Sequence, residues 1–94
     1  MPHSLSAKKR TRQNERRRQR NRAIKRRIRT TQRHFREALN AGDLNAAQAQ
    51  FRMAERLLHR AAGNGPLHRN TAGRHIRRMQ KHLDEAQEAA GPAT

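Results

Sequence analysis

Two groups of side chains in this sequence could do chemistry, and both are suited to holding phosphate. The larger group is a run of Lys and Arg, because the first thirty-six residues carry fifteen of them against a single acid, Glu15. The smaller group is His68-Arg69-Asn70, which follows Gly65-Pro66. Guanidinium and ammonium groups neutralise phosphates, and each neutralised phosphate of a nucleic acid releases condensed counterions. These residue types predict a polyanionic partner.

The basic side chains are concentrated in one part of the chain. The remaining fifty-eight residues carry eight basic and six acidic side chains, so nearly all of the formal charge of +16 belongs to the N-terminal run. Like charges at this density repel one another, and a free protein gains nothing by gathering them. The sequence therefore predicts nucleic-acid binding, through clusters such as Lys8-Lys9-Arg10, Arg16-Arg17-Arg18 and Lys25-Arg26-Arg27.

The residue patterns of an enzyme are missing. Six histidines occur, but none has the HExxH spacing of a zinc protease. His75 and His82 are seven residues apart, about 10 Å along a helix, which is too far to share a metal ion. The chain has no Cys, which excludes disulfides and Cys-based zinc sites. We predict no catalysis, no metal and no cofactor.

Glycine and proline divide the chain into three helical stretches. No segment alternates with the period of a strand, and Val, Tyr and Trp do not occur, so the predicted fold class is all-α. Ser6 and Asp43 are predicted as N-caps, and Gly42 as the residue just past the first helix. The predicted helices are Ser6–Ala41, Leu44–Ala62 and about Leu67–Ala90, the last ending before Gly91-Pro92.

Apolar residues recur at helical spacing in each stretch and predict how the helices pack. Both aromatic residues, Phe35 and Phe51, fall on these stripes and are predicted to be core rather than base-stacking platforms. Short links between such helices favour an antiparallel three-helix bundle. The predicted stripes are Ile24, Ile28, Thr31, Phe35 and Ala38-Leu39; then Leu44, Ala47, Phe51, Ala54, Leu58 and Ala61; and then Ala72, Ile76, Met79, Leu83, Ala86 and Ala90.

The first helix is longer than the bundle it joins. No apolar residue occurs between Lys8 and the bundle stripe except Ala23, and the second helix, about 28 Å long, can cover only Ile24–Ala41. We therefore expect one domain, residues 1–94, made of a projecting basic arm (1–23) and a three-helix bundle (24–90). An arm with no apolar face has nothing to bury, so it is expected to be disordered alone and helical on its ligand.

Two stretches of the sequence resemble the family of the bacterial small-subunit ribosomal protein numbered twenty, the S-twenty family. The first is Ser6-Ala7-Lys8-Lys9-Arg10, followed by Arg20-Asn21, Lys25 and Arg29-Thr30. The second is Gly65-x-Leu67-His68-Arg69-Asn70-x-Ala72-x-Arg74, which is similar to the family's Gly-x-Ile-His-Lys-Asn-Lys-Ala-Ala-Arg signature. Gly73 and Ile76 depart from the family, which usually has Ala and a basic residue there.

The resemblance implies a structural component of the bacterial small ribosomal subunit. It implies direct binding to small-subunit ribosomal RNA, mainly to the 5′ domain and also to the long stem near the 3′ end. The protein is expected to be cytoplasmic, to act as a single copy within the ribosome and to need no cofactor. The RNA contacts that it implies are Ser6, Lys8, Lys9, Arg10, Arg20, Asn21, Lys25, Arg29, His68, Arg69, Asn70 and Arg74. The charge pattern adds Arg16, Arg17 and Arg78.

Three alternatives remain open at this stage. The segment around His68 is either a phosphate site at a helix N-terminus or an ordinary helix start capped by Asn70 or Pro66. A nucleoid-type basic DNA-binding protein would share the charge and the helices, but such proteins usually carry a recognition helix or a wedge residue. A membrane-active helix needs large apolar residues opposite its charges, and residues 8 to 22 have none.

Overall fold

The computed structural model describes residues 5–90, except for the side chain of Asn64, and this range folds into three helices. They are α1, Leu5–Asn40; α2, Leu44–Asn64; and α3, Arg69–Ala89. All regular structure in the described range is helical, which confirms the all-α prediction. The stop predicted at Gly91-Pro92 and the first four residues of the arm lie outside the described residues.

The turn between α1 and α2 has the predicted residues in the predicted roles. Gly42 has a φ of +75°, a conformation that favours glycine. The Gly42 N–H donates to the Leu39 carbonyl at 3.1 Å and the Asp43 N–H to the Ala38 carbonyl at 2.9 Å, which is a Schellman motif. The Asp43 Oδ1 then accepts from the Ala46 N–H at 3.1 Å and caps α2. This three-residue turn makes α1 and α2 antiparallel.

The core is narrow and is built around α2, which packs against both other helices. The rings of Phe35 and Phe51 lie 6.3 Å apart at 46°, and both side chains are buried, as predicted. Thr31, also buried, donates its hydroxyl proton to the Arg27 carbonyl at 2.9 Å, so no polar atom is left unpaired there. The buried hydrophobic residues are Ile28, Phe35, Ala47, Phe51, Ala54, Leu57, Leu58, Ala61, Ala72, Met79 and Leu83.

Burial along the predicted stripes differs from the prediction in three ways. Leu57, which lies beside the predicted stripe of α2, is buried, and several stripe residues are only half-buried: Ile24, Ala38, Leu39, Leu44, Ile76 and Ala86. Ala90 is exposed, not part of the core. Gln32 of α1 lies beside His75 of α3, with Nε2 and Nδ1 3.4 Å apart. Because these two parallel helices advance equally from that contact, α3 extends past the end of α1 near Leu83, and Ala90 lies beyond the part of α3 that runs beside α1.

The helix starts also differ from the prediction at two places. Ser6 lies inside the first turn of α1, because the helix begins at Leu5, so Ser6 is not an N-cap. His68, rather than Asn70 or Pro66, caps α3: its Nδ1 accepts from the Asn70 N–H at 3.1 Å. An imidazole nitrogen without a proton is an acceptor, and the extended backbone of His68 places it over the first turn of the helix.

Two glycines near this loop are expected to respond oppositely to alanine. A Cβ on Gly65 would lie 2.9 Å from the Ala61 carbonyl oxygen, and one on Gly73 would meet no atom within 4 Å outside the adjacent backbone of its own helix. We expect Gly65→Ala to destabilise the fold by about 1–3 kcal/mol through overpacking. Gly73→Ala should stabilise it by about 0.5–1 kcal/mol, since it restores helix propensity within α3. Urea unfolding measures both, and equal stability of the two variants would contradict the close approach at Gly65.

The molecule is a rod with principal extents of 70 × 22 × 14 Å. The thirty-six residues of α1 account for most of the length, at about 54 Å. Ile24 is the first residue of α1 that packs against the core, and from Lys8 to Arg20 every side chain is exposed. The arm is helical here, and its disorder in the free protein stays a prediction.

Candidate nucleic-acid interface

The arm presents cations in every direction around its axis. Successive helical residues are rotated by about 100°, so Arg16, Arg17 and Arg18 point to three different sides. Arg16 shares a shallow groove with Lys9, Arg12 and Gln13, whereas Arg17 and Arg18 line another. A helix charged all round can be surrounded by phosphates, but it cannot rest one face on a surface.

A concave surface forms where the arm leaves the bundle, and we call it the corner groove. One wall is a face of α1 and the other is Pro66, in the loop between α2 and α3. Four of its side chains are cations and none is an acid. Its lining residues are Asn14, Arg17, Arg18, Asn21, Arg22, Lys25 and Pro66.

The corner groove brings together parts of the predicted site that are distant in sequence. Arg17, Asn21 and Lys25 lie on one face of α1, and the chain returns through α2 to bring Pro66 beside them. Asn21 is half-buried there, and no hydrogen bond occupies its side-chain amide, so its donor and acceptor remain available. Sequence reasoning missed Asn14, Arg22 and Pro66. The i, i+3, i+4 spacing along α1 could have indicated Asn14 and Arg22, whereas no local pattern indicates Pro66.

The cap on α3 determines how His68 can meet a ligand. Because its Nδ1 accepts the Asn70 N–H, the ring proton of the neutral imidazole lies on Nε2. His68, Arg69 and Asn70 are all exposed, so Nε2–H and the two neighbouring side chains can donate to phosphate. One backbone N–H of the first turn is already used by the cap, which leaves fewer free N–H groups than an uncapped helix start would offer.

The other predicted residues lie outside the corner groove. Ser6, Lys8, Lys9, Arg10 and Arg20 are exposed along the arm. Arg29 lines a groove on the outer side of α1 with Arg26, Thr30, Gln32, Arg33 and Arg36. Arg74 and Arg78 are exposed on the outer face of α3. The structure thus distributes the predicted residues over several surfaces along the rod and does not gather them into one pocket.

Intramolecular carboxylates neutralise few of these cations. Within residues 5–90 the ion pairs are Arg18–Glu15 and Arg33–Glu37, each at 3.8 Å and between side chains more than half exposed. Exposed pairs of this kind contribute little, about 0–1 kcal/mol each. The other Lys and Arg side chains of this range make no ion pair and are available to an external anion.

Sequence reasoning also missed the outer face of α2. Arg52, Arg56 and Arg60 recur every four residues there and are exposed. Their spacing of four residues is visible in the sequence, but three arginines in a nearly charge-balanced segment do not stand out as the N-terminal run does.

The described residues hold no other arrangement that suggests chemistry. No three His, Asp or Glu side chains within residues 5–90 could hold a metal ion together. His75, the histidine at the α1–α3 boundary, is half-buried against Gln32. In the same range, no helix is both long enough and apolar enough to cross a bilayer.

The chain is similar to known proteins over most of its length. The family model of ribosomal protein S20 matches residues 2–84. Small ribosomal subunit protein bS20 of Rhodopirellula baltica is 42% identical over 90 residues, which cover 96% of this chain and 100% of the relative. The proteins of the same name from Corynebacterium urealyticum and Dinoroseobacter shibae are 44% and 46% identical, over 89% and 88% of this chain and 97% and 94% of theirs.

Proposed function

The chain belongs to the ribosomal protein S20 family, and we propose that it binds small-subunit ribosomal RNA directly and stabilises its folded packing. Its family consists of non-enzymatic ribosomal proteins, which work on the ribosome in the cytoplasm. The observation that carries direct RNA binding is the arm, whose cations are exposed on all sides and mostly unpaired. A single copy would act as a structural component of the small subunit.

The arm supports a particular mode of binding. Residues 5–23 extend about 28 Å as a helix, beyond the segment of α1 that packs on α2. A rod charged on every side is suited to a cleft between RNA helices, where phosphates approach from several directions. We infer that residues 1–23 act as the anchor and residues 24–90 as the base that positions it. Counterion release then favours binding without base-specific contacts.

The corner groove and the His68 loop would fix the position of the arm. Charge–charge contacts with phosphates would let an arm that is charged on every side slide and rotate, whereas directional hydrogen bonds would hold it in one position. Asn21 offers an amide in the groove, and His68 offers a donor nitrogen whose direction is fixed by its cap. We propose that the arm provides most of the affinity and that these residues set the register. The RNA regions involved, the 5′ domain and the long stem near the 3′ end, are part of this proposal.

Binding assays that compare two nucleic acids test the proposed function. The full chain is titrated with small-subunit ribosomal RNA and with duplex DNA of equal phosphate content, at the same salt concentration. We expect tighter binding to the ribosomal RNA, because the arm needs a cleft between helices, which a single duplex lacks. Equal affinity for both, or tighter binding to DNA, would favour a nucleoid-type protein and overturn the proposal.

A further inference from the structure

The outer face of α2 carries a row of three arginines. Arg52, Arg56 and Arg60 are four residues apart, so neighbouring members are about 6 Å apart along the axis and the row is about 12 Å long. All three side chains are exposed. The buried residues of α2, among them Ala54 and Leu58, lie on the opposite side of the helix. The row is thus turned away from both α1 and α3.

The row makes no ion pair within the described residues. The nearest acid in sequence is Glu55, which is half-buried and lies about 60° from Arg52 around the helix axis and about 100° or more from Arg56 and Arg60. Among residues 5–90, neither Glu55 nor any other carboxylate forms an ion pair with an arginine of the row. Three aligned like charges repel one another, and no ion pair within the described residues relieves the repulsion.

The row is distinct from the surfaces assigned above. The corner groove lies between α1 and Pro66, and the His68 loop opens α3, whereas the row faces neither helix. A strand of nucleic acid lying in the corner groove would therefore leave the row uncovered. A bilayer is a poor partner for this face, because Met53, 45% exposed, is its only large apolar side chain in the described part of α2.

We propose that the outer face of α2 binds the phosphate backbone of an RNA segment separate from the one held by the arm. The regular row matches a linear series of anionic groups, and the planar guanidinium can grip a phosphate through two parallel hydrogen bonds. The inference rests on the proposed function for the identity of the RNA. The bundle then binds RNA itself, in addition to positioning the arm.

The test compares a variant with Arg52, Arg56 and Arg60 replaced by Gln with a control of equal net charge. The control carries Gln87→Glu, Ala89→Glu and Ala90→Glu at exposed positions at the end of α3. Binding of each full-length protein to small-subunit ribosomal RNA is measured as a function of salt. We expect the slope of log affinity against log salt to fall by up to about 2–3 units in the Gln variant alone, at roughly 0.7–0.9 per phosphate contact.

Two further measurements separate the possible outcomes. Hydroxyl-radical footprinting should show that the α2 variant loses protection over one group of nucleotides while the arm's group stays protected. Replacing the three arginines by Lys should restore most of the slope, since the charge is kept. A slope and a footprint equal to those of the control would overturn the proposal, and would leave an acidic protein as the partner to look for. If the parent protein instead binds DNA and ribosomal RNA equally, the proposed function fails. The salt slopes of the α2 variant and its control, measured on either nucleic acid, then still decide whether the row contacts phosphate.

Discussion

Leu58→Ala is expected to lower the free energy of unfolding by about 2–5 kcal/mol, the range for removing a large buried aliphatic side chain. Leu58 is fully buried in α2, the helix that contacts both of the others, so the cavity would open at the centre of the bundle. A domain of this size has about 5–14 kcal/mol of stability in total. The substitution should therefore remove a large share of it, measured by urea unfolding of the free protein.

Met53→Ala is the matched control, because it also truncates a large apolar side chain of α2. Met53 is 45% exposed, so its loss should change the free energy of unfolding by less than about 1 kcal/mol. Ile76→Ala should fall between the two, since Ile76 is half-buried. If Leu58→Ala unfolds at the same urea concentration as Met53→Ala, the core does not lie where the structure places it.

The helices and their core could be predicted from sequence because both depend on local rules. Gly42 and Asp43 are a turn residue and a cap whose roles follow from their own chemistry, and Phe35 and Phe51 follow from helical periodicity. The prediction that Ala90 belongs to the core was wrong, because apolar periodicity continues along a helix whether or not a neighbouring helix is present to bury it. The length of the neighbouring helix decides this, and how far α3 extends past α1 follows from a tertiary contact, that of Gln32 with His75.

The candidate interface could be predicted only in part, for a related reason. Charge density alone identifies the arm, because an exposed cation needs no partner within the chain. The corner groove depends on Pro66 lining the same concave surface as Asn21 and Lys25, although Pro66 is about forty positions from them in the sequence. The cap by His68 depends on the backbone angles of a single residue. Neither leaves a pattern in the sequence that would distinguish it from an ordinary loop.

Replacing Arg16, Arg17 and Arg18 together by Gln is expected to weaken RNA binding and to reduce its salt dependence. The three point to different sides of the arm, so no single one should be decisive. The slope of log affinity against log salt should fall by up to about 2–3 units if all three contact phosphate, which corresponds to roughly 50- to 200-fold weaker binding near 0.15 M salt. Folding should be unchanged, because all three side chains are exposed.

Asn70→Ala is expected to weaken binding in a different way. The side chain of Asn70 is exposed and uncharged, and the cap on α3 uses only its backbone N–H, so the variant should fold like the parent. If the amide donates to an RNA group that is buried in the complex, its loss should cost about 1–3 kcal/mol, with the salt slope nearly unchanged. Both variants are compared by RNA binding over a range of salt concentrations. An Asn70 variant that folds and binds like the parent would reduce the His68 loop to a helix cap, and the register would then have to be set in the corner groove.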